Sequence, residues 1–224
     1  MNQDHRIVVI GVGGAGCKVI TQAARQAIPG VGWVAVDTDT VSLQLSEVPQ
    51  KVLIGRNMTR GLGSGGMADR GRQAAEEAYA ELSQVLQGAE TVIITSGLGG
   101  GTGAGAAPVV GRIAQELGAW TVAVVSKPFS FEGDRRKRMA EAGFADLAAH
   151  TDVQIVMPID SILILLDKKA TLAQAFSTSD RILLEVIHSV IRLVMAPHAA
   201  KPGLEEICAA LPHRERDIVV VTAG

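Results

Sequence analysis

Aromatic residues are scarce in this chain: four Phe, two Trp and one Tyr among 224 residues, against 47% hydrophobic residues in all. A core built from it is therefore aliphatic, made of Val, Ile, Leu and Ala. Cysteine is scarcer still. Cys17 and Cys208 stand far apart with no metal-ligand spacing, which excludes a disulfide framework and a cysteine metal site and points to free thiols in a reducing, cytoplasmic setting. Net charge is only −2, so no global field draws the chain to nucleic acid or to an anionic membrane. Apolar runs break off well short of a bilayer span, which excludes direct membrane insertion. No secretory leader is expected either, since Asp4, His5 and Arg6 run straight into a strand-like segment.

Glycine, by contrast, is concentrated. The stretch Ser96 to Pro108 holds six glycines between a strand-like run, Thr91 to Thr95, and a helix-like one, Val109 to Leu117. Glycine discards a side chain and costs backbone entropy. That cost is not expected from packing. It is expected where backbone N–H groups approach an anion at a helix N-terminus. The stretch reads as a phosphate-binding loop.

Strand-like and helix-like segments alternate. Strands are expected at Arg6 to Ile10, Gly32 to Val36, Lys51 to Ile54, Thr91 to Thr95, Thr121 to Val125 and Val153 to Met157. Helices are expected at Cys17 to Ala27, Arg70 to Leu86, Val109 to Leu117, Arg135 to Ala149 and Leu172 to Met195. The last is apolar on much of its surface and reads as buried. This alternation predicts an α/β fold, a doubly wound, mostly parallel sheet with helices on both faces. Ligands of such sheets bind outside the carboxyl ends of the strands, where the glycine segments fall. Beyond Met195 a loop at Ala196 to Pro202, a helical turn at Glu205 to Leu211 and a strand at Asp217 to Thr222 are expected.

A second glycine pattern, Gly11-Val12-Gly13-Gly14-Ala15-Gly16, fits G-x-G-x-x-G, and Asp37 ends the next strand. Alone, it describes a dinucleotide fold with its ribose-binding acid, hence an NAD-dependent oxidoreductase, or simply tight turns packing helix on strand. A dinucleotide leaves the 97–105 glycines without a role. A nucleoside di- or triphosphate held between two glycine segments uses both. A third segment, Thr59 to Gly66, reads either as a further part of that cradle or as a flexible surface loop. The G-x-x-x-x-G-K-[ST] pattern and the protein-kinase elements are absent.

Gly99-Gly100-Gly101-Thr102-Gly103-Ala104-Gly105 resembles the G-G-G-T-G-[TS]-G signature of the FtsZ/tubulin superfamily, nearer its FtsZ branch. Further segments match in family order. Gly11 to Gly16 resembles the first nucleotide loop and Asp37-Thr38-Asp39 the N-T-D of the second. Thr59-Arg60-Gly61-Leu62-Gly63 resembles the third, and Lys127-Pro128-Phe129-Ser130-Phe131-Glu132-Gly133 the K-P-F-x-F-E-G sugar-binding loop. Ala175-Phe176 with Asp180 resembles the start of the central helix. The resemblance spans roughly 6–195. It implies GTP or GDP as ligand, with Mg2+ admissible beside GTP. Gly13, Gly14, Ala15, Gly16, Cys17, Lys18, Asp37, Gly65, Gly66, Gly99, Gly100, Gly101, Thr102 and Gly103 would hold or flank the phosphates. Pro128, Glu132 and Arg136 would meet the sugar and its surroundings. Asp180 would accept from guanine N1–H and the 2-amino group, donors that adenine does not present in that arrangement. Read locally, Asp180 is instead a helix N-cap after Ser177-Thr178-Ser179.

The chain departs from the family pattern where function is most sensitive. Lys18 stands where an Asn reaches the base, and Ile159 replaces the Asn of P-N-D. The family's N-x-D-x-x-[DE] loop, which enters the next subunit's nucleotide pocket, corresponds to Ala196 to Ile207. There Lys201 and Gly203 take the first two positions and Glu206 alone keeps an acid. Loss of a positioning acid removes help worth about a hundred- to ten-thousand-fold; Glu205 and Glu206 also read simply as first-turn helix charge. The expected organisation is a nucleotide-binding domain at 1–195 and, at 196–224, a degenerate acid loop leading toward the family's second domain, the chain being either naturally one-domain or cut at that boundary. The expected function is guanine-nucleotide binding that controls assembly or scaffolding, with weak or absent hydrolysis. The alternative is an active GTPase in head-to-tail filaments of cell division, with Glu206 as the tentative catalytic residue.

Overall fold

A computed structural model describes residues 7–164, 166–167, 169–196, 202–211 and 220–223. Its centre is a seven-stranded sheet of β1 (Ile7–Val12), β2 (Val31–Asp37), β3 (Gln50–Leu53), β4 (Thr91–Gly97), β5 (Trp120–Lys127), β6 (Val153–Pro158) and β7 (Val220–Ala223). Spatial order is β3-β2-β1-β4-β5-β6-β7. Pairs among the first six are parallel, and β7 joins β6 antiparallel. Residues 217–219 of the expected last strand, and 197–201 of the expected loop before it, lie outside the described residues.

The helices are α1 (Gly13–Ala23), α2 (Thr40–Leu45), α3 (Arg56–Thr59), α4 (Ala68–Glu77), α5 (Tyr79–Leu86), α6 (Gly101–Glu116), α7 (Asp134–Ala148), α8 (Leu172–Met195) and α9 (Leu204–Ala210). They cover both faces of the sheet, as the alternation predicts. One apolar layer joins Val9, Trp33, Val122 and Ile155 of the strands to Val19 and Ile20 of α1 and to Val186, Ile187 and Val190 of α8; Ile207 and Leu211 close it. The other joins Ile10, Val34, Ile94 and Val125 to Ala74, Leu82, Val110 and Leu147 of α4–α7. Buried parallel strands read as continuous Val/Ile runs for this reason: both faces are covered.

Several expected bounds shift. The single helix expected over 70–86 is two, broken at Ala78, whose φ −96°, ψ 16° leaves the α region. The helix expected from Cys17 starts at Gly13, and the one expected from Val109 starts at Gly101, with Pro108 in its interior. Most of the presumed glycine loop is therefore helix; only Leu98–Gly100 turns. Packing explains the glycines that local propensity disfavours. A Cβ at Gly105 would lie 1.9 Å from the Ala68 carbonyl oxygen of α4, and one at Gly71 of α4 would lie 2.4 Å from the Gly101 carbonyl oxygen. α4 and α6 thus meet backbone to backbone. The expectation that these glycines are not a packing choice is wrong for Gly101 and Gly105.

Candidate functional site

The chain order of the strands reverses between β1 and β4, the point where open α/β sheets leave a crevice at their carboxyl ends. A cleft of about 200 Å3 opens there, lined by residues from the ends of β1, β4 and β5, by Ile159 just past β6 and by residues of α8. A second hollow of about 420 Å3 shares Gly99, Gly100, Glu132 and Arg136 with it and adds Gly65, Gly66 and Arg135.

Two helix N-termini converge at its floor. α1 begins after Val12 and α6 after Gly100, and neither has a side-chain cap or a first-turn acid. The amides of Gly13, Gly14 and Ala15, and of Gly101, Thr102 and Gly103, have no acceptor within their helices. A Cβ on Gly13 (φ +74°) would come within 3.0 Å of the Gly103 nitrogen, so the two ends touch. Two positive helix ends meeting without a cap make a seat for an anion. Thr102 supports it from behind. Its hydroxyl lies 2.7 Å from the Thr38 hydroxyl and donates to Ser64 Oγ at 3.2 Å, a buried chain tying β2, α6 and the third glycine segment together.

The side wall is the 127–133 segment. Phe129 is buried, stacked on Phe131 (centroids 4.8 Å apart) and edge-on to Phe176 of α8 (5.1 Å). Glu132 accepts from the Phe129 amide at 2.9 Å and pairs with Arg136 one helical turn on. Ile159, Phe176, Ser179, Asp180 and Leu183 complete the lining. Asp180 is not a cap: α8 starts eight residues earlier, capped by Thr171, whose hydroxyl accepts from the Gln174 amide. It is 9% exposed, with Lys18 Nζ 2.6 Å from its Oδ2.

Of the residues expected from sequence, Gly13, Gly14, Ala15, Gly99, Gly100, Gly103, Pro128, Glu132, Arg136 and Asp180 line the cleft, and Gly65 and Gly66 line the adjoining hollow. Gly16, Gly101 and Thr102 sit behind its surface, buried. Cys17 is buried as well. Its thiol donates to the Gly11 and Val36 carbonyls, and burial pushes its pKa up to about 12. Lys18 lies in a neighbouring groove between α1 and α2 and reaches the cleft only through Asp180. Glu206 is on α9, exposed, its Oε2 accepting from the Gly203 amide at 2.6 Å. Lys201 lies outside the described residues. Sequence reasoning took Val12 and Gly97 only as parts of the glycine segments and did not single out Ser126, Ser179 or Leu183 as site residues. Each carries no chemical signal of its own, although all but Ser179 and Leu183 are strand-end residues that the sheet rule could have found.

Asp37 decides against the dinucleotide reading. It is 3% exposed, and its Oδ1 accepts from the amides of Thr38 (2.7 Å) and Asp39 (3.3 Å). Burial raises its pKa, opposed by the Ser42 hydroxyl and these amides. So engaged, Asp37 is not among the residues that line the cleft.

Comparison with known proteins agrees. Residues 6–167 match the model of the Tubulin/FtsZ family, GTPase domain. The chain is 43% identical over 197 residues to the cell division protein FtsZ of Wigglesworthia glossinidia brevipalpis, an alignment covering 88% of this chain and 51% of that one. It superposes on an empty FtsZ dimer from M. jannaschii with TM-score 0.83 and 37% identity, covering 92% of this chain and 60% of that one. It shares its fold with CetZ2 of Haloferax volcanii, described as a GTPγS-bound protofilament (TM-score 0.77, 24% identity, 87% and 61% covered). The chain spans about half the length of the curated relative it matches. The oxidoreductase alternative finds no support in these matches. With residues 6–167 matched to the family's GTPase-domain model and 43% identity to a relative over 88% of its length, the chain belongs to the Tubulin/FtsZ family.

Proposed function

We propose that the cleft holds a guanine nucleotide, phosphates on the paired ends of α1 and α6, sugar beside Pro128, Glu132 and Arg136, base toward Asp180. One observation carries this reading: two uncapped helix N-termini and a buried carboxylate line a single crevice. An anion suits the first and a donor-bearing base the second. Among the described residues no group of three His, Cys, Asp or Glu could hold a metal ion, so Mg2+ would be held chiefly by the phosphates of GTP.

Binding, rather than turnover, is the proposed activity, coupled to nucleotide-controlled assembly or scaffolding in the cytoplasm. Among the described residues no helix is long and apolar enough to cross a membrane. Weak hydrolysis is supported by Glu206, whose carboxylate is engaged at the start of its own short helix. An active GTPase working head to tail, as in cell division, is the second reading. It is favoured by the exposure of Glu205 and Glu206, which a neighbouring copy could receive. Denaturing freshly purified protein and identifying the released nucleotide tests the ligand: GDP is expected, and ADP alone would overturn the choice of base. Phosphate release measured against protein concentration tests the activity. A flat background is expected; a cooperative rise abolished by Glu206→Ala would establish the enzyme instead.

A further inference from the structure

The third glycine segment is tied down unevenly. Arg60, Gly61, Gly63, Gly65 and Gly66 all stand at positive φ, between 52° and 82°, so the path is a run of left-handed turns. Its first half is anchored. The Leu62 amide donates to the Thr59 carbonyl and the Gly63 amide to the Thr38 carbonyl, each at 3.0 Å, and Ser64 Oγ accepts from Thr102. Gly65 and Gly66 differ. Among the described residues the one hydrogen bond either makes is accepted by the Gly66 carbonyl from Arg135 Nη2 of α7, at 3.1 Å. Both glycines line the hollow of about 420 Å3 beside the cleft. Arg135 is exposed. Unlike Arg136, which pairs with Glu132, it has no carboxylate partner among the described residues.

We infer that Arg135 is a positioning residue, a clasp from α7 that holds the Gly65–Gly66 end of the third segment down and prolongs the stay of a bound nucleotide. The inference rests on the guanine-nucleotide reading and goes beyond it, since it concerns release instead of recognition. The held segment lies on the anion seat itself. A Cβ at Gly101, the first residue of α6, would come within 2.7 Å of the Gly66 carbonyl carbon and 2.4 Å of the Met67 nitrogen. Lifting residues 65–66 therefore uncovers the start of α6. The hollow they line also shares Gly99, Gly100, Glu132 and Arg136 with the cleft, so an anion seated on α6 borders the part of the wall that the clasp controls. Two glycines bring no side chains to that contact. What holds them on α6 is dispersion between a few backbone atoms, each pair worth little, and Arg135 supplies the one directional tie. A guanidinium suits the task. It stays charged, and its planar fork spends one N–H on the carbonyl while the others remain in water.

The alternative is that Arg135 acts only through its charge, drawing phosphates toward the site. Association and release of a fluorescent GDP, followed by stopped flow, separate the two in the wild-type chain, Arg135→Ala, Arg135→Lys and Lys137→Ala. The last removes the same charge from the same helix without removing a bond to the segment. The expected result is release about two- to ten-fold faster in Arg135→Ala, the range for one exposed hydrogen bond, with association slowed no more than in Lys137→Ala. Arg135→Lys, which keeps an N–H donor, should recover part of the slow release. In the nucleotide-free proteins, amide exchange over residues 60–67 should quicken in Arg135→Ala and stay at the wild-type rate in Lys137→Ala. Release unchanged in Arg135→Ala, release equally quickened in Lys137→Ala, or exchange unchanged in Arg135→Ala overturns the clasp and leaves nucleotide binding standing. No GDP binding by the wild-type chain overturns the nucleotide reading, and this role of Arg135 with it. Thermal melting of each variant separates misfolding from a lost tie.

Discussion

Two neighbouring glycines of one motif should respond to alanine in opposite ways. Gly105 lies in the second turn of α6, where a Cβ would stand 1.9 Å from the Ala68 carbonyl oxygen and 2.7 Å from the Arg72 nitrogen. Both obstacles are backbone, and real Cβ atoms essentially never come within 3.0 Å of such atoms. α4 and α6 must therefore separate by about 1 Å along that line, which opens the apolar layer beneath them. Overpacking of this kind costs about 1–3 kcal/mol and more where backbone must move. Alanine recovers about 1 kcal/mol of helix propensity. The net expectation for Gly105→Ala is a loss of about 2 kcal/mol, a fall in Tm of roughly 4–8 °C for a chain of this size. Gly100 differs. It is extended (φ −103°, ψ 148°), and the nearest atom to its Cβ position is 3.7 Å away. Gly100→Ala should leave stability within about 0.5 kcal/mol, or raise it slightly through the unfolded state, while placing a methyl in the cleft that weakens nucleotide binding. Urea or thermal unfolding of the two variants beside wild type decides it. A Gly105→Ala protein as stable as wild type, or a Gly100→Ala protein that melts well below it, would refute the division of this motif into packing and cleft glycines.

Asp180→Asn should lower GDP affinity at least ten-fold with little change in Tm, because the Lys18 it releases is already largely solvated; calorimetry and melting together check this. His188 of α8 is 4% exposed and hydrogen-bonds to the Ala23 carbonyl at the end of α1, and burial lowers its pKa. The unfolded chain then binds the proton first, so stability should be complete above about pH 6.5 and decline as pH falls below it, by no more than about 1.4 kcal/mol per pH unit. Urea midpoints from pH 5 to 8 should show that slope in wild type and lose it in His188→Asn. Cys17, its pKa pushed up to about 12, should resist alkylation at pH 8 in the folded protein, whereas the exposed Cys208 should react; mass spectrometry of the modified peptides reads both.

Much of the fold was legible because its signals are local. Val and Ile runs mark strands buried on two faces, and their alternation with helical segments implies the doubly wound sheet. α8 was placed to the residue, Leu172 to Met195, because a long apolar face at helical spacing has one reading. The glycine motifs and their order, together with Asp180, were enough to suggest the family. The starts of α1 and α6 were not legible. Glycine and an internal Pro108 argue against helix by propensity, and only the backbone contact of α4 with α6, and the corresponding close approach of Gly16 to the Thr95 carbonyl, favours it there.

The amino-acid order by itself determined the α/β class, the positions of the glycine segments after strands, and the family. Tertiary structure alone decided which glycines serve packing and which face the cleft, that Asp37 turns inward to its own loop, and that Lys18 meets Asp180. The physical reason is the same in each case. Periodicity and propensity act between residues a few positions apart, whereas a helix approach of a few ångströms, or an ion pair closing 162 residues, exists only once the sheet has brought those elements together.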